Sequence, residues 1–339
     1  MRKIITFFVI MMIISFLTPN LFLIDVMNLE MIKNERDISG DKDRKLGANE
    51  NKTMITNEIS LRVPEKIKLL LTEKNEIIEL NFDEYIKGVL IGEVPITYEL
   101  EALKAQAIVA RTYTLYKLKN NPTSHGEANM CDDINCCQCY KTKEYAFASW
   151  DDKEENEKWT KLETAVNSTK NMCITYSGEI ISAFFHANSG GKTENVKYVW
   201  GEEEIPYLKS VDGNEQDTYQ DSKSFTKQEF AELIKEHVND YAEKNYEIEI
   251  LDYTGSGRIN NLKVGNAKFK ATELRKVLGL RSTNFRVEKN ESGDITFFTI
   301  GYGHGVGMSQ EGANQMAKSG KKVEDIIKHY YTGVEISSY

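Results

Sequence analysis

The pattern of apolar and polar positions along the chain predicts a mixture of short strands and helices. Residues 61–71 and 76–80 are rich in Ile, Val and Leu and are joined by a polar turn, which predicts two strands. Asp83 is a suitable N-cap for a helix over 84–91, and apolar spacings of three and four residues predict a longer helix over 99–118. The first third of the chain is therefore expected to contain a strand pair followed by two helices.

The second half of the chain continues this mixture and shows no internal repeat. Strands are predicted over 173–185, 246–253, 261–269 and 294–300, and helices over 224–238, 273–278, 308–317 and 323–331. Ser224 is the predicted N-cap of the first of these helices. The order lacks the regular strand and helix alternation of a doubly wound fold. We therefore predict a mixed α/β (α+β) fold, a single large domain of hairpins and packed helices preceded by one transmembrane helix.

The N-terminus differs from the rest of the chain. Arg2 and Lys3 precede an uncharged run over 4–24, which at about 1.5 Å per residue reaches roughly 30 Å, enough to cross a bilayer as a helix. A cleaved signal peptide is the alternative, but it needs small residues after the run, and the first alanine is Ala48. We therefore expect an anchor over 1–24 with a cytoplasmic N-terminus, a flexible polar linker over 25–57 and one domain over 58–339.

The overall composition excludes one class of partner. The apolar and charged fractions, 40% and 28%, are those of a globular protein, and the formal net charge is −9. Proteins that bind nucleic acid usually present a basic face or stripe. We therefore expect no nucleic-acid partner, and any contact with an anionic polymer must come from local side chains.

Three segments dense in glycine and polar residues are candidates for a functional site, over 88–95, 184–194 and 301–310. Glycine allows backbone conformations that bring neighbouring polar groups close to a ligand. None of the three segments matches a nucleotide-binding motif. Apolar neighbours on both sides of Glu93 would disfavour its charged form and raise its pKa into the range of a general acid. A glutamate near a helix end is, however, more often a solvated residue or a cap.

Five motifs occur in an order that resembles one known family. They are Gly92-Glu-Val-Pro95, Glu101-Ala-Leu-Lys-Ala-Gln-Ala-Ile-Val-Ala-Arg-Thr-Tyr113, Asn188-Ser-Gly-Gly-Lys-Thr-Glu194, Pro206-Tyr-Leu-Lys-Ser-Val-Asp212 and Gly303-His-Gly-Val-Gly-Met-Ser-Gln-Glu-Gly312. Over roughly residues 60–335 the chain resembles the stage II sporulation protein D family, whose domain also occurs in amidase-enhancer proteins.

The resemblance implies a lytic transglycosylase that cleaves peptidoglycan glycan strands already stripped of stem peptides, during spore engulfment. Glu93, in the Gly-Glu-Val-Pro motif, would protonate the glycosidic oxygen between N-acetylmuramic acid and N-acetylglucosamine. It would then act as base on the 6-hydroxyl of the muramic acid, which closes a 1,6-anhydro ring. Most glycosidases use two carboxylates, whereas here the nucleophile is internal and one carboxyl serves both steps.

The resemblance also implies substrate-binding residues. They are Arg111, Tyr207, Lys209, Ser189, His304 and Gln310. The two cations and the tyrosine among the first three would face the lactyl carboxylate and the sugar of the stripped glycan. The alternative makes Arg111 an ion pair on a helix surface and Tyr207 and Lys209 ordinary strand residues, and glycine-rich turns also use polar side chains as caps.

A cluster of cysteines suggests a metal site. Four of the five cysteines lie between Cys131 and Cys139, with His125 six residues upstream. Disulfides are the default in an extracellular domain, but an odd total cannot pair completely, and so tight a cluster fits tetrahedral Zn²⁺ ligation. Clostridial-type family members carry zinc on a corresponding segment, which implies a structural Zn²⁺ on His125, Cys131 and Cys137. Cys136 and Cys139 are extra to that pattern and stay open as ligands or disulfide partners.

Two other functions stay open. One is a non-catalytic glycan-binding protein that enhances an N-acetylmuramoyl-L-alanine amidase. The other is a metal-dependent hydrolase with its active site at the cysteine cluster. By resemblance the partners would be a sporulation amidase, stage II sporulation protein P, and stage II sporulation protein M in a membrane complex. The expected location is the cell membrane as a single-pass protein, with the domain in the septal space between mother cell and forespore.

Overall fold

The computed structural model describes residues 57–61, 63–120, 125–151, 153–201, 203–216, 219–235 and 247–339. The predicted anchor over 1–24 lies outside these residues, as does the predicted linker except for its last residue. Within the described part, no helix combines the length and the apolar character needed to cross a bilayer. The predicted transmembrane helix and single-pass membrane location therefore find no support in the described residues.

The described residues form short strands and helices in a mixed order, which confirms the predicted α/β character. The strands are β1 (Asn57–Glu58), β2 (Lys66–Leu71), β3 (Glu76–Asn81), β4 (Met130–Cys131), β5 (Met172–Tyr176), β6 (Glu179–Ile180), β7 (Phe185–His186), β8 (Gln220–Phe225), β9 (Ile248–Tyr253), β10 (Ile259–Val264), β11 (Ala267–Lys270), β12 (Phe285–Lys289), β13 (Ile295–Ile300), β14 (Met308–Ser309) and β15 (Glu335–Ser338). The helices are α1 (Phe82–Glu93), α2 (Leu100–Asn120), α3 (Lys143–Ser149), α4 (Glu155–Asn167), α5 (Lys227–Lys235), α6 (Ala271–Leu278), α7 (Gln310–Lys318) and α8 (Val323–Tyr330).

These strands pair into small sheets. The orders are β3-β2-β4, β1-β15-β5-β6, β14-β7, β11-β10-β9 and β12-β13-β8. The β2–β3 hairpin is antiparallel, and β4 adds to it in parallel, with Leu69 opposite Met130. The short parallel pair of β7 and β14 sets Ser309 opposite His186. That pairing fixes the position from which α7 starts.

Helix α2 lies at the centre of the first part of the fold. Its buried residues run from Ala102 to Lys117 and cover every side of the helix, as expected for a helix enclosed by its neighbours. It packs against α1, α4, α7, α8 and β5. Small residues at Ala105, Ala107 and Ala110 let these elements approach closely, and all three side chains are fully buried.

The segment from β8 to β13 has an apolar core of its own, and we call it the second lobe (described residues 219–235 and 247–300). The core is built by α5, α6 and the faces of two three-stranded sheets, with Phe225, Phe230, Leu262, Leu274 and Phe297 among its buried residues. Phe297 contacts Phe230 and Phe285 with ring centroids 6.0 and 5.5 Å apart. Aromatic pairs at such distances stabilise a core beyond the area they bury.

Two local predictions are wrong. Ser224 does not cap a helix, because it belongs to β8 and lies opposite Thr296 of β13. Thr226 is the cap instead: it accepts the Glu229 N–H over 3.2 Å, and the Glu229 carboxylate accepts the Thr226 N–H over 2.9 Å. Likewise α1 begins after Asn81, so that Asp83 lies inside its first turn.

Candidate active site and metal centre

Glu93 is the last residue of α1 and lines a cleft. The helix ends there because Val94 takes an extended conformation, with φ −132° and ψ 144°, ahead of Pro95. The cleft has a volume of about 350 Å³. Most of the residues that line it are apolar or aromatic, although polar and apolar atoms share its exposed surface about equally. They are Leu90, Ile91, Gly92, Glu93, Val94, Pro95, Ile96, Leu103, Tyr145, Ser149, Trp150 and Leu162.

The surroundings of Glu93 shift its pKa towards neutrality. Burial raises the pKa to about 7, and two contacts limit the rise. One is a hydrogen bond that the backbone N–H of Cys139 donates to Glu93 Oε1 over 2.6 Å. The other contact is the side-chain amide of Gln310, which faces the carboxyl and lowers its pKa. The Gln310 Nε2 is placed less favourably than in a well-formed hydrogen bond. Both protonation states of Glu93 are therefore accessible near neutral pH, as acid–base catalysis requires.

Two glycines of α1 let the segment around Cys139 lie against the end of that helix. A Cβ atom on Gly92 would come within 2.9 Å of the Cys139 carbonyl and thiol, and one on Gly88 within 2.1 Å of the Tyr140 ring. The Lys141 N–H also donates to the Gly88 carbonyl over 3.0 Å. The glycines of the first candidate segment thus serve a close approach of two backbones.

Four side chains gather at the cysteine cluster, which we call the metal centre: His125, Cys131, Cys136 and Cys137, with ligand atoms all within 4.8 Å of one another. His125 Nε2 lies 3.2 Å from Cys137 Sγ and 3.7 Å from Cys136 Sγ. One imidazole and three thiols fit a closed tetrahedral Zn²⁺ site. The structure adds Cys136 to the three predicted ligands, leaves Cys139 outside the cluster, and forms no disulfide among the five cysteines, all of which it describes.

A buried lysine adjoins the metal centre. Lys117 of α2 donates to the Cys136 carbonyl over 2.7 Å, and its Nζ lies 3.3 Å from Cys137 Sγ. Hydrogen bonds from Cys131 and Cys136, together with the Lys117 charge, hold the pKa of the Cys137 thiol well below its ordinary value. The thiolate is the form that binds metal, so Cys137 is the thiol that these contacts prepare for a cation, while the hydrogen bonds that Cys131 makes with Cys136 and Cys137 raise the pKa of Cys131.

The metal centre is connected to Glu93 through one short segment. Cys137 belongs to the cluster, and two residues later Cys139 donates its N–H to the Glu93 carboxyl. Tyr113 of α2 donates its hydroxyl to the Cys136 carbonyl over 3.2 Å, and its pKa, raised mainly by burial, also responds to the Glu93 charge. A metal bound at the cluster would therefore fix the backbone that holds the Glu93 carboxyl.

Arg111 and Tyr207 are occupied by structural contacts and do not line the cleft. Arg111 is fully buried, pairs with Asp83 over 3.1 Å and donates to the Thr169 carbonyl over 2.8 Å. Asp83 and Glu93 stand at opposite ends of α1, so this pairing holds Arg111 away from Glu93. The Tyr207 hydroxyl accepts the Ser182 N–H over 3.2 Å within the interior.

Ser189 is also buried, whereas Lys209 is exposed. The Ser189 N–H and hydroxyl both donate to the Glu215 carboxylate, over 2.6 and 2.8 Å. The Ser309 hydroxyl donates to the same carboxylate over 2.5 Å and caps α7 by accepting the Gly312 N–H. Because Gln310 follows Ser309, Glu215 holds in place the residue whose amide faces Glu93.

His304 lies in an aromatic cluster. Its ring centroid is 6.2 Å from that of Phe184 and 5.6 Å from that of His186, and Phe184 is in turn 6.1 Å from Tyr113. Burial, followed by the nearby His186, holds the pKa of His304 well below its ordinary value, so the imidazole is neutral. Its Nδ1 accepts the Val306 N–H over 3.0 Å. A series of rings thus connects His304 with the region of Glu93.

Sequence reasoning missed three contributors to this arrangement: Cys139, Tyr113 and Glu215. Cys139 contacts Glu93 through its backbone N–H, and because every residue except proline has this group, the side-chain sequence does not predict the contact. The Gly88 and Gly92 spacing on one helix face was the available signal that another segment packs there. Glu215 carried no signal, because its partners lie 26 and 94 residues away along the chain.

Comparison with known proteins bears on the whole arrangement. Residues 72–176 match the family described as stage II sporulation protein, and residues 210–307, which contain the second lobe, match a domain of unknown function. Stage II sporulation protein D of Bacillus amyloliquefaciens is 37% identical over 268 residues, covering 78% of this chain and 76% of that protein. The Bacillus subtilis protein of that name is 37% identical over 269 residues, with the same shares.

A more distant relative is the amidase enhancer of Bacillus subtilis, which is 27% identical over 308 residues, covering 75% of this chain and 40% of its own length. The similarity to the two stage II proteins covers about three quarters of this chain and of each of those proteins. The chain therefore belongs to the stage II sporulation protein D family.

Proposed function

We propose that this protein is a lytic transglycosylase that cleaves stem-peptide-free glycan strands of peptidoglycan during spore engulfment. The observation that carries the proposal is the position of Glu93 in the cleft, where burial raises the pKa of its carboxyl to about 7. Membership of a sporulation protein family supports the biological process. The proposed cleaving unit is the domain over 58–339.

In the first step Glu93 acts as general acid. Its proton passes to the glycosidic oxygen between N-acetylmuramic acid and N-acetylglucosamine as the bond from that oxygen to the muramic C1 breaks. The resulting Glu93 carboxylate accepts the Cys139 N–H and faces the Gln310 amide. These contacts stabilise the anion without removing the burial that makes its protonated form available.

In the second step the same carboxylate acts as general base. It takes the proton of the muramic 6-hydroxyl while that oxygen bonds to C1, so the product carries a 1,6-anhydro ring and no water is consumed. Glycosidases that use water or a covalent intermediate need a second carboxylate. Among the described residues that line the cleft, Glu93 is the one carboxylate, which supports a single-residue mechanism.

For substrate binding we propose roles for Gln310, His304 and Lys209. Gln310 faces Glu93, and the neutral His304, whose Nδ1 accepts the Val306 N–H, would contact a sugar through its ring. Lys209 is exposed and can pair with a lactyl carboxylate. Arg111, Tyr207 and Ser189 are buried in protein contacts and support the fold instead.

For the metal centre we propose a structural Zn²⁺ held by His125, Cys131, Cys136 and Cys137. Four protein ligands complete a tetrahedron and leave no position for a reactive water, which argues against a metal-dependent hydrolase. The ion would supply rigidity to the segment that ends at Cys139. Glu93 would carry out the acid and base steps and Gln310 would support them, with no chemical step assigned to the metal.

The proposed partners are a sporulation amidase that prepares the stripped glycan, stage II sporulation protein P, and stage II sporulation protein M. The second candidate function is a non-catalytic glycan-binding enhancer of an N-acetylmuramoyl-L-alanine amidase. The amidase enhancer relative favours this alternative. The pKa of Glu93 favours the enzyme.

The test compares the full chain with its Glu93→Gln variant on amidase-treated peptidoglycan. The released sugars are identified by mass spectrometry, and amidase activity is followed in a parallel reaction. We expect anhydromuramic products from the native chain and none from the variant. If both release nothing while both raise amidase activity, the enhancer function replaces the enzyme.

A further inference from the structure

An exposed aromatic cluster precedes the His304 motif. The rings of Tyr219 and Tyr302 have centroids 5.4 Å apart at an interplanar angle of 38°, and the two residues are 40% and 37% exposed. The Arg281 guanidinium lies 4.5 Å from the centre of the Tyr302 ring and donates to its hydroxyl over 2.6 Å. We call these three residues the tyrosine platform.

Backbone hydrogen bonds hold the platform rigid. The Gly301 N–H donates to the Tyr219 carbonyl over 2.7 Å, and the Gly303 N–H donates to the Arg281 carbonyl over 3.0 Å. Tyr302 itself exchanges two backbone hydrogen bonds with Asn188, over 2.7 and 3.0 Å. A surface whose three loops are already fixed loses little conformational entropy when a ligand binds.

The chemistry of the platform suits a sugar that carries a carboxylate. Pyranose rings have an apolar C–H face that packs on aromatic rings, and tyrosine adds a hydroxyl at its edge. Arginine pairs with carboxylates through its planar fork. Asp221 contacts Arg281 from the Nε side over 3.5 Å, which orients the guanidinium beside the Tyr302 ring.

From these observations we propose that the tyrosine platform is a second saccharide-binding site, which holds the glycan strand outside the cleft. The ligand is an amino-sugar polymer with lactyl carboxylates, and this choice of ligand rests on the proposed function. Tyr302 is two residues from His304, whose ring centroid lies 6.2 Å from that of Phe184, which lies in turn 6.1 Å from that of Tyr113. The proposal expects one strand of several sugars to contact both the platform and the cleft.

The platform also gives the second lobe a role. Tyr219 and Arg281 belong to this lobe and Tyr302 follows it directly, and all three fall within residues 210–307, the part that matches a domain of unknown function. Buried contacts tie this lobe to the rest: Arg258 donates to the Ser189 carbonyl over 2.6 Å, and Thr254 and Ser256 donate to the Glu194 carboxylate, each over 2.6 Å. The lobe holds its platform at a fixed place relative to the glycine-rich turns.

The test measures glycan binding without cleavage. The full chain carrying Glu93→Gln is titrated with fluorescently labelled, amidase-treated glycan strands, and Tyr219→Ala and Tyr302→Ala are introduced singly. Each alanine variant should raise Kd roughly tenfold, because a central aromatic contact commonly carries that share of binding. Tyr253→Ala is the matched control, since Tyr253 is a 61% exposed tyrosine of the same lobe outside the platform.

Two further variants distinguish the loss of a ligand contact from misfolding. Tyr302→Phe keeps the ring but removes the hydroxyl that Arg281 contacts, so it should weaken binding less than Tyr302→Ala does. Arg281→Glu reverses the charge and should weaken binding, with thermal unfolding checked for each variant. Unchanged Kd in folded Tyr219→Ala and Tyr302→Ala variants overturns the platform. That result leaves the proposed enzyme intact if anhydro products are still released. Conversely, platform-dependent binding without cleavage by the native chain removes the enzyme and keeps the platform.

Discussion

At the scale of single residues, Glu93 owes its chemistry to opposed contacts. Burial disfavours the carboxylate and raises its pKa, while the Cys139 N–H and the Gln310 amide favour the carboxylate. The balance places the pKa at about 7. A residue that must first give and then take a proton works best with a pKa near the operating pH.

The rate of glycan cleavage should fall as the pH rises through about 7, since Glu93 then loses the proton that the first step needs. The measurement is kcat/KM for release of anhydromuramic fragments across pH. Glu144→Gln is the control, because the pKa of this exposed carboxyl on α3 is lowered by its contacts at the helix N-terminus. A rate that stays constant or increases through neutral pH would contradict Glu93 as the acid.

Gln310→Ala should shift the fall in cleavage rate on the alkaline side of the pH profile to higher pH. The amide of Gln310 lowers the Glu93 pKa, so removing it lets the pKa rise further. Gln315→Ala provides a matched control on the same helix, where the Gln315 amide contacts Glu311 instead. If the pH at which the cleavage rate falls stays the same or decreases in Gln310→Ala, Gln310 does not act on the Glu93 carboxyl.

At the scale of elements, helix α1 has a structural role at its N-terminal end and a proposed catalytic role at its C-terminal end. Asp83 in its first turn pairs with Arg111, and Glu93 in its last turn lines the cleft. The ion pair ties α1 to α2, and the Thr169 carbonyl extends the contact to the end of α4. The cleft therefore depends on Arg111 through the orientation of α1.

Arg111→Ala should lower the free energy of unfolding by about 3 kcal/mol, because it leaves buried acceptors and Asp83 without their cation. Chemical denaturation measures the change. Lys170→Ala is the control, since Lys170 is 64% exposed and its 3.7 Å pair with Asp83 should contribute less than about 1 kcal/mol. A variant of native stability that no longer binds glycan would instead assign Arg111 to the substrate.

The segment from Cys131 to Cys139 is the second element with two roles. Cys136→Ser should reduce the zinc bound to the purified chain and lower its unfolding temperature, because it removes one of four ligands. Cleavage should fall as well, since the same segment supplies the Cys139 N–H to Glu93. Metal analysis and thermal unfolding check this, with Cys173→Ser on β5 as a cysteine control outside the cluster. Normal zinc content in Cys136→Ser would remove Cys136 from the ligand set.

The sequence predicted those elements whose signal is local. Apolar runs and helical spacing located the β2–β3 hairpin, α1 and α2, because these patterns report burial directly. The polar helices α3 and α4 were not predicted, since few of their side chains are buried. Ser224 was assigned to a helix because its strand pairing with Thr296 depends on a segment 72 residues away.

The candidate site was predictable to a similar extent. Motifs brought Glu93 and Gln310 into one hypothesis, and the fold places them together. The same motifs could not separate residues that line a cleft from residues that support it, such as Arg111 and Ser189. That distinction depends on burial and on partners distant in the chain, which a single sequence does not contain.

At the scale of the whole molecule, a catalytic part and a second lobe share one proposed substrate. Glu93 lines the cleft and accepts the Cys139 N–H from the metal-centre segment, while Tyr219 and Arg281 of the lobe form the tyrosine platform with the adjoining Tyr302. Buried hydrogen bonds from Arg258 and to Glu194 fix the two together. This arrangement suits a polymer, because several sugars along one strand can be held while a single bond is cleaved.

Cleavage in heavy-oxygen water tests the central claim most directly, because a hydrolase and a lytic transglycosylase differ in the fate of one water molecule. Amidase-treated glycan is digested by the full chain, and the muramic ends are examined by mass spectrometry. The account predicts anhydro ends that contain no heavy oxygen and that are absent with Glu93→Gln. Reducing ends that have incorporated heavy oxygen would contradict it, since they would show that water, rather than the 6-hydroxyl, attacks C1.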